Sequence, residues 1–137
     1  ALEKAGHRVR LAADGHEALA SIAAARPQLV ITDVDMPRMN GLEFCRTLRE
    51  SRLGACLYVI ALTGRERHED LVECIHAGAN DFVAKSPAPD VLLTRVRAAA
   101  RTVRCSEALK NEADALRGLA TGLAIDRRKA ELDARRA

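Results

Sequence analysis

The 137-residue sequence has no tryptophan, one tyrosine and two phenylalanines. So few rings argue against a protein that stacks exposed nucleotide bases, because such sites are built on aromatic platforms. It also lacks any apolar run long enough to span a bilayer, and its opening has no signal-peptide pattern. The four cysteines, Cys45, Cys56, Cys74 and Cys105, show no C-x-x-C spacing and no nearby paired histidines, which argues against a zinc site or a dithiol redox motif. Cys45 and Cys74 fall beside apolar neighbours on helical patterns, the usual setting of small buried thiols, and a reducing cytosol is the expected compartment. Charge is balanced in the body, with 13 basic and 13 acidic groups over residues 1–100, against 9 and 6 over 101–137. Acids at Glu107, Glu112, Asp114 and Asp126 interleave with those late bases, so the tail reads as a solvated helix face and not as a nucleic-acid arm.

What is present is the composition of an ordinary globular chain: 48% apolar, 30% charged, and long enough for one domain with a single core and some length to spare. Its most informative stretch runs from Leu29 to Gly41, Leu-Val-Ile-Thr-Asp-Val-Asp-Met-Pro-Arg-Met-Asn-Gly. Branched apolar residues in a row suit a strand buried on both faces, and Pro37 and Gly41 then force a turn. Asp33 therefore sits at the carboxyl end of a central parallel strand, the edge at which open α/β sheets gather ligands and chemistry.

The rest of the chain alternates strand and helix. Residues 1–5 read as the last turn of a helix stopped by Gly6, and His7 to Ala12 alternates as a half-buried edge strand does. Asp14-Gly15 turns the chain into a helix carrying Ala18, Leu19, Ile22, Ala23 and Ala25, which Pro27 closes. The buried strand Leu29 to Thr32 is followed by a helix from Gly41 to Glu50. A second apolar strand, Leu57 to Leu62, ends at Thr63-Gly64. An amphipathic helix from Arg67 to Ala77 stops at Gly78, a short strand Asp81 to Ala84 ends at Lys85, and the pattern from Asp90 onward is helical. Such alternation implies a parallel sheet with helices on both faces and right-handed crossovers.

Asp33, Thr63 and Lys85 each end an apolar strand, so a parallel sheet brings a carboxylate nucleophile, a hydroxyl donor and a cation to one crevice. That set suits phosphoryl transfer: an Asp carboxylate can accept a phosphoryl group covalently, and the remaining task is positioning and charge neutralisation. Taken singly, each is an ordinary strand end. His16, His68 and His76 are scattered among helices and read as surface or cap residues. Arg38 and Arg65 flank the crevice and could steer an anionic donor, while Met36 and Met39 read as loop packing.

In order and separation these residues, with D-x-x-M-P-x-M-x-G at 33–41 and Gly78-Ala79-Asn80-Asp81-Phe82 before the last strand, closely resemble response-regulator receiver domains. The resemblance covers roughly residues 1–104 and implies a flavodoxin-like doubly wound parallel sheet of strand order 2-1-3-4-5. It implies Asp33 as phosphoacceptor, Thr63 as switch hydroxyl, Lys85 as phosphate-sensing lysine, Phe82 as the aromatic that follows Thr63, and the Asp35 backbone carbonyl beside Asp33 as magnesium ligands. It implies a sensor histidine kinase or phosphotransfer protein as partner.

Two departures stand out. Only four strands are legible, and the first strand of the family, with the acidic pair that holds most of the metal, is absent. The chain also begins without Met inside what reads as a helix, so it is expected to be a fragment or to have a beginning that is not seen. Magnesium is then short of protein ligands. A central strand cannot be lost without stranding backbone groups on both neighbours, so the segments at His7–Ala12 and Leu29–Thr32 are expected to pair directly or with a strand from elsewhere. The second departure is Lys85-Ser86-Pro87, where the family has Lys followed directly by Pro. It puts the usual cis link, and with it the aim of Lys85, in question.

Residues 105–137 exceed what a receiver needs and read as a helical linker or signalling helix. Leu109, Ala113, Leu116, Ala120 and Leu123 are spaced as a short coiled-coil seam, weakened by Gly118 and Gly122 at about 1 kcal/mol each. A weak homodimer contact and an inert linker both fit. Thr121-Gly122-Leu123-Ala124-Ile125-Asp126-Arg127-Arg128 is similar to the T-G-L-x-N-R-R opening of diguanylate cyclase (GGDEF) domains, with one extra residue and Asp for Asn. The reading reached is a receiver module, not itself an enzyme, that controls an attached output. A receiver-like interaction domain without phosphorylation is the alternative; an aspartyl-phosphate hydrolase would need a lid and a general acid, and neither is visible.

Overall fold

The computed structural model describes residues 2–36, 39–52, 54–64, 68–85 and 89–136. Its order is α1 (Gly15–Ala25), β1 (Leu29–Asp33), α2 (Gly41–Glu50), β2 (Tyr58–Thr63), α3 (His68–Ala77), β3 (Asp81–Ala84) and α4 (Pro89–Arg136). Local chemistry sets the helix ends. Asp14 caps α1 by accepting from the Glu17 N–H at 2.9 Å, and Glu17 reaches back to the Ala13 N–H at 3.2 Å, a reciprocal capping box. At its other end Arg26 turns left-handed (φ 46°) and Pro27 follows, which cannot continue a helix. Asn40 caps α2 through the Glu43 N–H at 2.9 Å.

The three strands form one parallel sheet in the order β1-β2-β3. Each is apolar on both faces because helices cover both. Val59 and Ala61 of β2 pack with Ile22, Phe44, Cys45, Leu48 and Cys74 of α1, α2 and α3. The alternate residue Ile60 packs with Val83, Val96 and Ala99, joined by Leu2, Leu29, Ile31, Leu62 and Leu92. Burial in the first of these clusters pushes the Cys45 thiol up to about 11. All four cysteines are thiols, Cys45 and Cys74 buried, Cys56 and Cys105 exposed.

Two expectations need correction. His7 to Ala12 is not a strand: it makes no ladder, and Leu11 is 88% exposed. A strand exists only through hydrogen bonds to a neighbour, and in the receiver order this segment pairs with the first strand, not with β1. For the same reason the two segments do not pair directly, and among the described residues the sheet starts at β1. Gly6 does end the opening turn in the left-handed region (φ 93°).

Arg49, in the last turn of α2, donates from Nε to the Gly78 carbonyl (2.8 Å), from Nη1 to the carbonyls of Gly54 (2.9 Å), Ala55 (3.3 Å) and Leu57 (2.6 Å), and from Nη2 to Asn80 Oδ1 (2.7 Å). Asn80 Oδ1 also accepts from the Val59 N–H at 2.9 Å. One guanidinium thus ties the loop before β2 to the loop before β3.

The chain divides into compact units over 1–101 and 102–137. The first holds the sheet and the opening turns of α4. The second is the remainder of α4, helical straight through Gly118 and Gly122, with Leu109, Leu116, Leu119 and Leu123 exposed. No helix among the described residues is long and apolar enough to cross a membrane.

Candidate functional site

Parallel strands deliver their carboxyl ends to one edge, and there β1 ends on Asp33, β2 on Thr63, and β3 one residue before Lys85. Asp33 and Lys85 meet: Lys85 Nζ lies 2.5 Å from Asp33 Oδ2, with both side chains partly exposed. The other oxygen, Oδ1, accepts from the Asp35 N–H at 2.9 Å, which folds the chain back over the carboxylate. Thr63 is buried, and its carbonyl accepts from the Lys85 N–H at 2.8 Å, so the backbone ladder carries on to the lysine. Phe82 is half-buried against the α1/α2/α3 core and pairs in register with Ala61, which puts it on the same sheet face as Thr63, diagonally across.

The loop after Asp33 is held by close backbone approach. Gly41 donates to the Val34 carbonyl at 2.9 Å, and a Cβ at position 41 would lie 2.2 Å from the Asp33 carbonyl oxygen. The last residue of D-x-x-M-P-x-M-x-G is thus fixed by space. Met36 and Met39 pack on the core, as loop packing requires.

Of the remaining candidates, His16 and His76 are exposed on helices. Arg38, Arg65, Pro37, Ser86 and Pro87 and the His68 side chain lie outside the described residues. Whatever link follows Lys85, its ammonium reaches Asp33. Arg49 escaped the sequence reading, the only hint being a basic residue in a last helical turn.

A family model described as the response regulator receiver domain matches residues 1–97. Response regulator MprA of Mycolicibacterium vanbaalenii is 46% identical over 96 residues, 70% of this chain and 41% of its own length. MprA of Mycobacterium leprae is 41% identical over 108 residues, 79% of this chain and 46% of its own. Among solved structures, Vibrio cholerae chemotaxis protein CheY4 aligns with a TM-score of 0.68 at 35% identity, covering 72% of this chain and 82% of that one. NtrX from Brucella abortus aligns at 0.73 and 28% identity, covering 80% of this chain and 25% of that one.

The chain belongs to the response-regulator receiver domain family, with the flavodoxin-like receiver fold, and its function is phosphorelay signalling in two-component systems. A receiver domain is a signalling module and not in itself an enzyme, and response regulators interact with sensor histidine kinases and phosphotransfer proteins. The chain spans less than half the length of these curated relatives.

Receiver domains generally bind magnesium at the phosphorylation site. The residues of this chain do not by themselves fit that ion. Asp33 Oδ2 already holds Lys85, and no group of three His, Cys, Asp or Glu that could hold a metal forms among the described residues. Magnesium wants six oxygens in near-octahedral array.

Proposed function

We propose that Asp33 is the phosphoacceptor. A carboxylate oxygen of Asp33 attacks the phosphorus of a kinase's phosphohistidine, the new O–P bond forms as the N–P bond breaks, and the imidazole keeps the electron pair. Lys85 then serves as the cation for the added charge, as a point-charge phosphate partner does. The Thr63 hydroxyl donates to a phosphoryl oxygen once one is present, and Phe82, diagonal to it, reports the change on the sheet's outer end. The observation that carries this reading is the 2.5 Å contact of Lys85 Nζ with Asp33 Oδ2 at the carboxyl edge of a parallel sheet.

The finer parts of the proposal rest on the same reading. Residues 1–104 act as receiver, and 105–137 as a helical linker to an output of diguanylate cyclase type. The protein works in the cytoplasm and forms a weak homodimer that tightens on phosphorylation. Magnesium at Asp33 and the Asp35 carbonyl would need acidic ligands beyond those of this chain.

The test is labelling of the full-length protein by a small phosphodonor with magnesium, followed by mass spectrometry. The wild type takes up one phosphoryl group and Asp33→Asn takes up none. Undiminished labelling of the Asn variant would overturn the assignment.

A further inference from the structure

The second unit presents large apolar side chains to solvent in a regular pattern. Leu109, Leu116 and Leu123 are 61–67% exposed and stand seven residues apart on one continuous helix. Ala113 and Ala120 fall four residues after the first two leucines, so the five share one stripe. Gly118 and Gly122 lie off it, where the lack of a side chain costs no contact. The rows flanking the stripe differ in sign. Lys110 and Arg117 follow the leucines on one side, and Glu112, Leu119 and Asp126 run along the other.

We propose that this stripe, from Ser106 to Ala124, is the seam of a parallel, in-register two-stranded coiled coil with a second copy of the chain. The charges choose the orientation. In a parallel pair the two flanking rows meet across the seam, offset by five residues, so Glu112 faces Arg117 of the second copy, twice by symmetry, and Leu119 faces Ala124. In an antiparallel pair like rows meet. Lys110 then opposes Arg117 and Glu112 opposes Leu119, with no attractive pair. Arg117 lies 3.7 Å from Asp114 within its own helix, an exposed contact that is exchanged at little cost.

The same pattern sets where the seam stops. Arg127 takes the next seam position and would meet its own copy, while Asp126 would face Glu131 of the second copy. Beyond Ala124 the two helices repel and part. The inference deepens the proposed homodimer and rests on it, but not on the chemistry at Asp33.

The test uses the intact protein with the exposed Cys56 and Cys105 changed to serine. Leu109→Cys, at one end of the seam, should give a disulfide-linked dimer under mild oxidation, and Asn111→Cys, on the outer face, should not. Only a parallel in-register pair brings residue 109, at one end of the seam, against itself, because an antiparallel pair sets it opposite the other end; equal cross-linking of the two variants overturns the proposal. Sedimentation supplies the second readout: Arg117→Glu should raise the dimer dissociation constant about tenfold, and adding Glu112→Arg should restore it. A dimer indifferent to both changes also overturns it. None of these positions touches Asp33, so phosphodonor labelling stays intact whichever way the seam result falls, and failure of the receiver reading shows separately.

Discussion

Lys85 Nζ and Asp33 Oδ2 meet at 2.5 Å although their strands are not neighbours: β2 lies between β1 and β3. Two strand spacings of about 4.8 Å separate the backbones, and the long lysine side chain covers the gap over the end of β2. If Asp33 takes a phosphoryl group as proposed, a lysine in that position touches the carboxylate beforehand and would stay within reach of the added oxygens.

Lys85→Ala should therefore leave the fold nearly as stable, because a partly exposed ion pair contributes at most about 1 kcal/mol. Its effect should fall on the response. Labelling of Asp33 should persist while the phosphorylation-dependent change in dimerisation is lost, as read by untreated and phosphodonor-treated samples side by side in the ultracentrifuge. A normal response in Lys85→Ala would remove the lysine from the switch.

Gly41→Ala should destabilise the protein by about 2 kcal/mol, as overpacking does, because its Cβ would sit 2.2 Å from the Asp33 carbonyl oxygen. Labelling at Asp33 should slow as well. Gly64→Ala, whose Cβ would meet nothing within 4 Å, is the matched control and should unfold in urea within about 0.5 kcal/mol of wild type.

Arg49→Met should cost about 2–4 kcal/mol, since it leaves the carbonyls of Gly54, Leu57 and Gly78 short of a donor. Arg49→Lys should recover little of it, because an ammonium cannot reproduce a planar fork. Urea unfolding monitored by circular dichroism measures both, and full recovery by lysine would show that charge alone matters.

Cys45 makes a pH prediction. Its thiol is pushed from 9.0 to about 11 in the fold, chiefly by burial. Below pH 9 folded and unfolded chains both hold the proton; between 9 and about 11 the unfolded chain sheds it first, so stability falls as pH rises through that window. Cys45→Ala should flatten this alkaline loss. In the native protein at pH 8 a thiol reagent should modify Cys56 and Cys105 and spare Cys45 and Cys74 until denaturant is added.

The strands β1 and β2 were legible in the sequence because a strand buried on both faces is written as a run of branched apolar residues. The convergence of Asp33 and Lys85 was legible too, since parallel topology sends strand ends to one edge. His7 to Ala12 shows where this stops. Its alternation is a property of the segment, but a ladder is a property of two segments, and alternation without a neighbour left Leu11 in solvent. Arg49 was hidden for a related reason: its acceptors come from the stretch 54–57 and from 78–80, and no spacing rule announces that they converge.

The close approach at Gly41 also bears on how the site can vary. Position 41 is close to an alphabet of one letter, because any Cβ there collides with the backbone of Asp33 and Val34. Position 35 supplies an N–H to the Asp33 carboxylate, a group every residue but proline carries. Two neighbouring positions in one loop therefore hold very different amounts of information: a library randomised across 35 and 41 and selected for labelling at Asp33 should return many residues at the first and glycine almost alone at the second.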